Sequence, residues 1–176
     1  MKIEKTDIQD CLLIKPKIYK DNRGFFLETF QKERYLNDAK ISLNFVQDNF
    51  SSSSKGVLRG LHFQKNKPQG KLIYVVKGRI YDVVVDIRKN SATFMKWIGV
   101  DLSMSNGHQL WIPPGLAHGF VTFEDANIIY KCTDYYDPDD ECTLIWNDPK
   151  LNIDWKIENP KISEKDSKGL KFCELF

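Results

Sequence analysis

The chain of 176 residues has no apolar run near the roughly 18 residues that a membrane-crossing helix needs. Its opening, MKIEKTDIQD, carries charge where the apolar centre of a secretion signal would stand. An excess of charge is missing as well: 26 Lys and Arg against 24 Asp and Glu leave a net +2. That balance argues against a dedicated nucleic-acid binder and leaves only local basic patches for an anionic small ligand. Four cysteines (Cys11, Cys132, Cys142, Cys173) form no CxxC pair and no dense framework, so reduced thiols are expected. Together these absences predict a soluble, cytoplasmic chain with neither membrane nor nucleic acid among its partners. Helical periodicity is scarce, and there is no internal repeat.

What the chain does have is two-residue alternation in a composition 41% hydrophobic and 12% aromatic, enough for one domain over residues 1–176 with a real core. Strands are predicted for CLLIKPKIY (11–19), GFFLETF (24–30), LNFVQDNF (43–50), GVLRGLHF (56–63), KLIYVVKG (71–78), RIYDVVVDIR (79–88), KWIGVDL (96–102), HQLWIP (108–113), HGFVTF (118–123) and NIIYKCTDY (127–135). So many short strands at this spacing predict an all-β sandwich or barrel. QKERYLNDA (31–39) reads as the one short helix, and SSSS (51–54) as a turn between strands. The segment from Asp148 spaces its apolar residues singly among Pro, Asn and charges, and reads as extended chain draped over the domain.

Two stretches fit the paired motifs of cupin-type jelly rolls. GHQLWIPPGLAH supplies Gly107, Pro113, Pro114, Gly115 and His118 at the spacing of the second motif, with Thr122 where its terminal Asn would stand. The first motif is met at His62 and Gly78, but Gln64 replaces its second His and Lys71 occupies the place of its Glu. An ammonium cannot coordinate a divalent ion while protonated and would repel it, so no metal is expected here. The lysine's charge can instead stabilise negative charge developing on a substrate oxygen. His62 and Lys71 are expected on neighbouring strands of one small barrel, both pointing into its mouth.

A base beside a fixed cation suits removal of a proton from carbon next to a carbonyl, where the resulting enolate oxygen needs a positive partner. Histidine suits the base role near neutral pH. Inversion at that carbon needs an acid on the opposite face. Tyr74, Tyr81, Tyr130, Tyr135 and Tyr136 are candidates on predicted strands.

DNRGFFLETF, FVQDNFSSSSKGVLRGLHFQ, QGKLIYVVKG, VDIRKNSATFMKWIGVDLS, QLWIPPGLAHGF, IYKCTDYYDP, IWNDP and ISEKD, in this order, closely resemble the dTDP-4-dehydrorhamnose 3,5-epimerase family. The resemblance runs from about residue 3 to 170. It implies a jelly-roll homodimer that converts dTDP-4-dehydro-6-deoxy-D-glucose to dTDP-4-dehydro-L-rhamnose without a cofactor, in dTDP-rhamnose biosynthesis. Position by position it makes His62 the proton acceptor, Asp166 the carboxylate orienting it, Tyr130 the proton donor and Lys71 the enolate-stabilising cation. Arg23, Glu28, Gln47, Asn49, Arg59, His118, Glu141 and Lys165 match nucleotide- and sugar-binding positions, and Tyr136 the ring that stacks on thymine. The loop KNKPQGK is one residue shorter than is common in the family.

His108 is expected to face solvent, and Trp97, Trp111, Trp146 and Trp155 to pack. Pairing with a second subunit would remove exposed sheet edges, with the N-terminal strand as the exchanged element. Rival readings are a single-carbon epimerase of a related keto sugar, a metal-dependent cupin, which Gln64 and Lys71 disfavour, and a non-catalytic sugar-nucleotide binder.

Overall fold

This computed structural model describes residues 1–175, which form thirteen strands and two short α-helices. A six-stranded sheet runs in the order β1 (Lys2–Lys5), β2 (Leu12–Lys15), β10 (Gln109–Ile112), β7 (Lys71–Lys77), β12 (Ala126–Cys132), β5 (Gln47–Ser53). A five-stranded sheet runs β13 (Glu141–Thr143), β6 (Leu58–Gln64), β11 (Leu116–Thr122), β8 (Arg79–Asp86), β9 (Trp97–Ser103). Their strand pairs are all antiparallel, and the chain crosses from one sheet to the other repeatedly, as in a jelly roll.

Alternation sorts the side chains into layers. From β8, Ile80 and Val84 enter the space between the sheets and meet Ile73, Val75 and Ile128 of the six-stranded sheet. From the same strand, Tyr81, Val83 and Val85 face outward and lie under Leu151, Trp155 and Phe172 of the C-terminal segment. Covered on both faces, β8 can read as a near-continuous apolar run. The outer face of the other sheet, with Ile14, Leu72 and Trp111, is covered by Tyr35 and Ala39 of helix α1 (Lys32–Ala39). That helix begins where the Gln31 side chain accepts from the Arg34 N–H, and it ends at Lys40, whose left-handed backbone sends its N–H to the Tyr35 carbonyl. Trp111 packs under the helix, while Trp97 and Trp146 pack into the outer layer to which the C-terminal segment contributes Trp155.

Several expectations need correction. CLLIKPKIY is two strands, β2 and β3 (Ile18–Asp21), broken at Pro16, which has no N–H to give a ladder. Among the described residues β3 pairs only with β4 (Gly24–Leu27), as a separate hairpin. Ser51–Ser53 are not a turn. They continue β5, whose ladder with Ala126–Ile128 is made by main chain and accepts serine. The same strand starts only at Gln47, later than the apolar pattern suggested. β1 and β13 escaped notice because four and three residues are too short for a period. In the C-terminal segment, helix α2 (Glu164–Ser167) stands where extended chain was expected, capped by the Ser163 hydroxyl accepting from the Asp166 N–H. His108 is half-buried, not solvent-facing, and burial lowers its pKa.

Candidate active site

His62 and Lys71 do not lie on neighbouring strands. β6 and β7 follow each other in the chain but belong to opposite sheets, so the two side chains face each other across the gap. The gap opens there into a cavity of about 350 Å³ lined by both sheets.

One wall is built on β7, β12 and β5. Lys71 pairs with Cys132, and Ile73 pairs with Tyr130, which pairs in turn with Asn49. Residues two apart share a face, so Lys71 and Tyr130 project together with Gln47, Asn49 and Ser51, all of which line the cavity. Burial lowers the Lys71 pKa, partly offset by the nearby Cys132, Glu141 and Asp82. Burial also raises the Tyr130 pKa, which keeps its phenol protonated as an acid must be.

The other wall is built on β13, β6 and β11. Thr143, His62 and His118 form a row of cross-strand neighbours. The row needs two backbones unusually close, and glycine permits it. A Cβ on Gly60 would stand 2.5 Å from the Gly119 Cα, and one on Gly119 would stand 2.7 Å from the Arg59 carbonyl oxygen. The Gly60 N–H donates to Asp166 Oδ2 at 3.0 Å, and His62 Nε2 donates to Asp166 Oδ1 at 2.7 Å. Burial opposes ionisation of Asp166, but these two bonds prevail and hold its pKa below the ordinary carboxylate value. With its Nε2–H held by a buried carboxylate, His62 keeps Nδ1 free to accept a proton.

At the rim, Glu141 accepts from both the Tyr136 hydroxyl and the Lys165 ammonium. Burial opposes the Glu141 charge, but these donors outweigh it and lower its pKa. Arg59 donates to the Ser53 hydroxyl and the Ser52 carbonyl, with its guanidinium otherwise exposed. Gln64 is spent on structure: its amide donates to the Lys67 and Tyr135 carbonyls and accepts from the Asp137 N–H. The short loop before Lys71 is tied down as well, with Asp140 accepting from the Asn66 and Lys67 N–H groups and Thr133 from that of Gly70. Among the described residues, no group of three or more His, Cys, Asp and Glu side chains is placed to hold a metal ion.

A base held by a buried acid on one sheet, with an ammonium and a phenol on the other, is arranged for proton transfer at carbon. The sequence profile of dTDP-4-dehydrorhamnose 3,5-epimerase matches residues 5–174. The chain belongs to the dTDP-4-dehydrorhamnose 3,5-epimerase family. It is accordingly an isomerase. The family's enzyme from Shigella flexneri is 47% identical over 176 residues, covering 99% of this chain and 97% of that one. That of Escherichia coli K12 is 46% identical over 178 residues, covering 99% and 96%. The crystal structure of the dTDP-6-deoxy-D-glucose-3,5-epimerase of Legionella pneumophila Philadelphia 1, in complex with dTDP-4-keto-L-rhamnose, superposes with a TM-score of 0.95 at 49% identity, covering 98% of this chain and 93% of that one.

The epimerase cavity gathers most of the residues singled out in the sequence: Gln47, Asn49, Arg59, His62, Lys71, His118, Tyr130, Tyr136, Glu141 and Lys165 line it, with Asp166 behind His62. Arg23 and Glu28 stand apart. Arg23 lies in the turn of the exposed β3–β4 hairpin, paired with Asp21 at 2.6 Å, and Glu28 pairs with Arg34 at 2.6 Å. Sequence reasoning missed Ser51, which the alternation from Gln47 and Asn49 could have given. It also missed Asp82, an acid inside the apolar run of β8, where burial on both faces makes a charge conspicuous.

Proposed function

We propose that this epimerase takes dTDP-4-dehydro-6-deoxy-D-glucose to dTDP-4-dehydro-L-rhamnose by removing and returning a proton at C3 and again at C5. The observation that carries the reading is the placement of His62 and Tyr130 on opposite sheets, both lining one cavity. Nδ1 of His62 takes the proton from one face. The C4 carbonyl becomes an enolate whose oxygen is stabilised by the Lys71 ammonium, and the Tyr130 phenol protonates the carbon from the other face. Proton NMR in deuterated water tests it directly: two exchanging positions and inverted product, unchanged by exhaustive chelation, are expected. A single exchanging position would make it a one-carbon epimerase, no exchange would leave only a binder, and a chelator-sensitive rate would remove Lys71 as the electrophile.

The nucleotide end lies at the rim. Arg59 binds the diphosphate through its paired N–H groups, and Tyr136 stacks on the thymine. Arg59→Ala is expected to weaken dTDP binding roughly tenfold to a hundredfold, with a larger loss at low salt. Tyr136→Ala is expected to reduce the preference for thymidine over other nucleoside diphosphates. Calorimetry showing unchanged dTDP affinity in both variants would put the nucleotide elsewhere.

The working unit is a homodimer in the cytoplasm, each chain contributing residues 1–176 as one epimerase domain. Among the described residues the β3–β4 hairpin pairs with no other strand, and it exposes Tyr19, Phe25 and Phe26, the last at 68%. An isolated hairpin with uncovered aromatics calls for a partner. Docked on a second copy, it carries Arg23 and Glu28 to that copy's cavity. Light scattering at twice the chain mass checks the assembly.

A further inference from the structure

Asp82, on β8, is completely buried and takes no part in the chemistry above. A carboxylate in such a place is costly unless partnered. Its oxygens stand 3.0 and 2.9 Å from one atom, Nε2 of His118, and no other described residue donates to them. The His118 ring lines the cavity, and its Nδ1 has no hydrogen-bond partner among the described residues. His118 is also the cross-strand neighbour of His62. Two histidines therefore stand side by side, each with Nε2 against a buried carboxylate.

We propose that Asp82 is a positioning residue for the sugar: it keeps the proton of His118 on Nε2 and so presents Nδ1 to the cavity as an acceptor for a sugar hydroxyl. The inference rests on the epimerase reading of the site. A singly protonated imidazole has one donor and one acceptor nitrogen, and a carboxylate can only accept, so the proton belongs on the side of Asp82. The ionisable groups lining the same cavity besides His118 are Arg59 and His62 from β6, Lys71 from β7, Tyr130 from β12, Glu141 from β13, and Tyr136 and Lys165 at the rim. Arg59, Lys71 and Tyr130 are donors, His62 is occupied with the carbon-bound proton, Glu141 already accepts from Tyr136 and Lys165, and the Gln47 and Asn49 amide oxygens already accept from the Tyr136 N–H and the Gln47 amide. A sugar hydroxyl that must donate finds its acceptor in His118. Without Asp82 the proton can move to Nδ1, which would then meet the hydroxyl as a second donor.

Nitrogen-15 NMR of the imidazoles in the free protein at about pH 8, where an ordinary imidazole is neutral, reads the tautomer directly. Only three histidines need assignment, and His108→Gln and His118→Gln supply it. The wild type is expected to hold His118 as the Nε2–H tautomer, and Asp82→Asn to show a mixture with Nδ1–H. For the keto sugar, kcat/KM is expected to fall roughly tenfold to a hundredfold in Asp82→Asn, with dTDP affinity unchanged. The double variant with His118→Ala should be no slower than His118→Ala alone, since both changes remove one contact. A mixed or Nδ1–H tautomer in the wild type, or additive losses in the double variant, would overturn the proposal. The wild-type tautomer requires no variant to fold. Failure of the epimerase reading shows separately, as absence of turnover by the wild type.

Discussion

His62→Ala eliminates wash-in of solvent deuterium at both C3 and C5 of the keto sugar, a loss of about 10²–10⁴-fold in the exchange rate. The expectation is this large because His62 faces Tyr130 and Lys71 with a free ring nitrogen, and the buried Asp166 carboxylate supports the charge it acquires. His118, its neighbour, is the nearest substitute, and exchange surviving at near wild-type rate in His62→Ala would transfer the base role to it. Tyr130→Phe should behave differently. It keeps the ring between Ile73 and Asn49 and removes only the hydroxyl, so the enolate still forms at His62. Reprotonation then comes back from the same face. The signature is residual deuterium wash-in to unreacted substrate together with a far larger loss of inverted product, both read on one NMR sample. Equal loss of exchange and inversion would remove Tyr130 as the acid and point to Tyr136 or a bound water.

Lys71→Met separates catalysis from stability. Losing the ammonium removes the cation facing the enolate oxygen, and kcat is expected to drop by about 10²–10³-fold with a smaller change in KM. The fold should not suffer. Burial lowers the Lys71 pKa from 10.5, so the unfolded chain binds that proton more tightly than the folded one. The ammonium therefore costs stability at neutral pH, and the cost shrinks as pH rises through the folded value toward 10.5. Lys71→Met is expected to melt at an equal or higher temperature than the wild type at pH 7, with the difference narrowing in alkali. A variant that keeps its kcat, or that melts lower by the loss of a contact, would show the lysine to be structural.

In the wall on β7, β12 and β5, Lys71 stood out in the sequence by its place in the cupin motif, whereas Tyr130, Gln47 and Asn49 were singled out by the resemblance, and the ladder then shows why they share a face. Sheet membership was not legible. Nothing local in QGKLIYVVKG tells β7 that it will pair with β10 and β12 instead of with β6, since that choice is made by residues far along the chain. Asp166 could be assigned only by resemblance. It lies in a polar segment, and what makes it a buried acid is a single helical turn begun at Ser163, which sets it against Gly60 and His62. Arg23 and Glu28 show the limit of reading one chain: their motif was plain, but this chain does not bring them to its own cavity.

The floor of the cavity is Ile73, Phe120 and Ile128, and these same residues belong to the core that holds the sheets apart. Interiors packed this densely transmit small changes in volume instead of absorbing them. The core thus acts as a caliper, its jaws tipped with His62 on one side and Tyr130 on the other. A methylene added or removed at Ile73 or Ile128 resets the opening between His62 and Tyr130 with neither of them substituted. Evolution of this enzyme toward a bulkier or slimmer sugar can then run through apolar substitutions that a comparison of polar site residues would pass over.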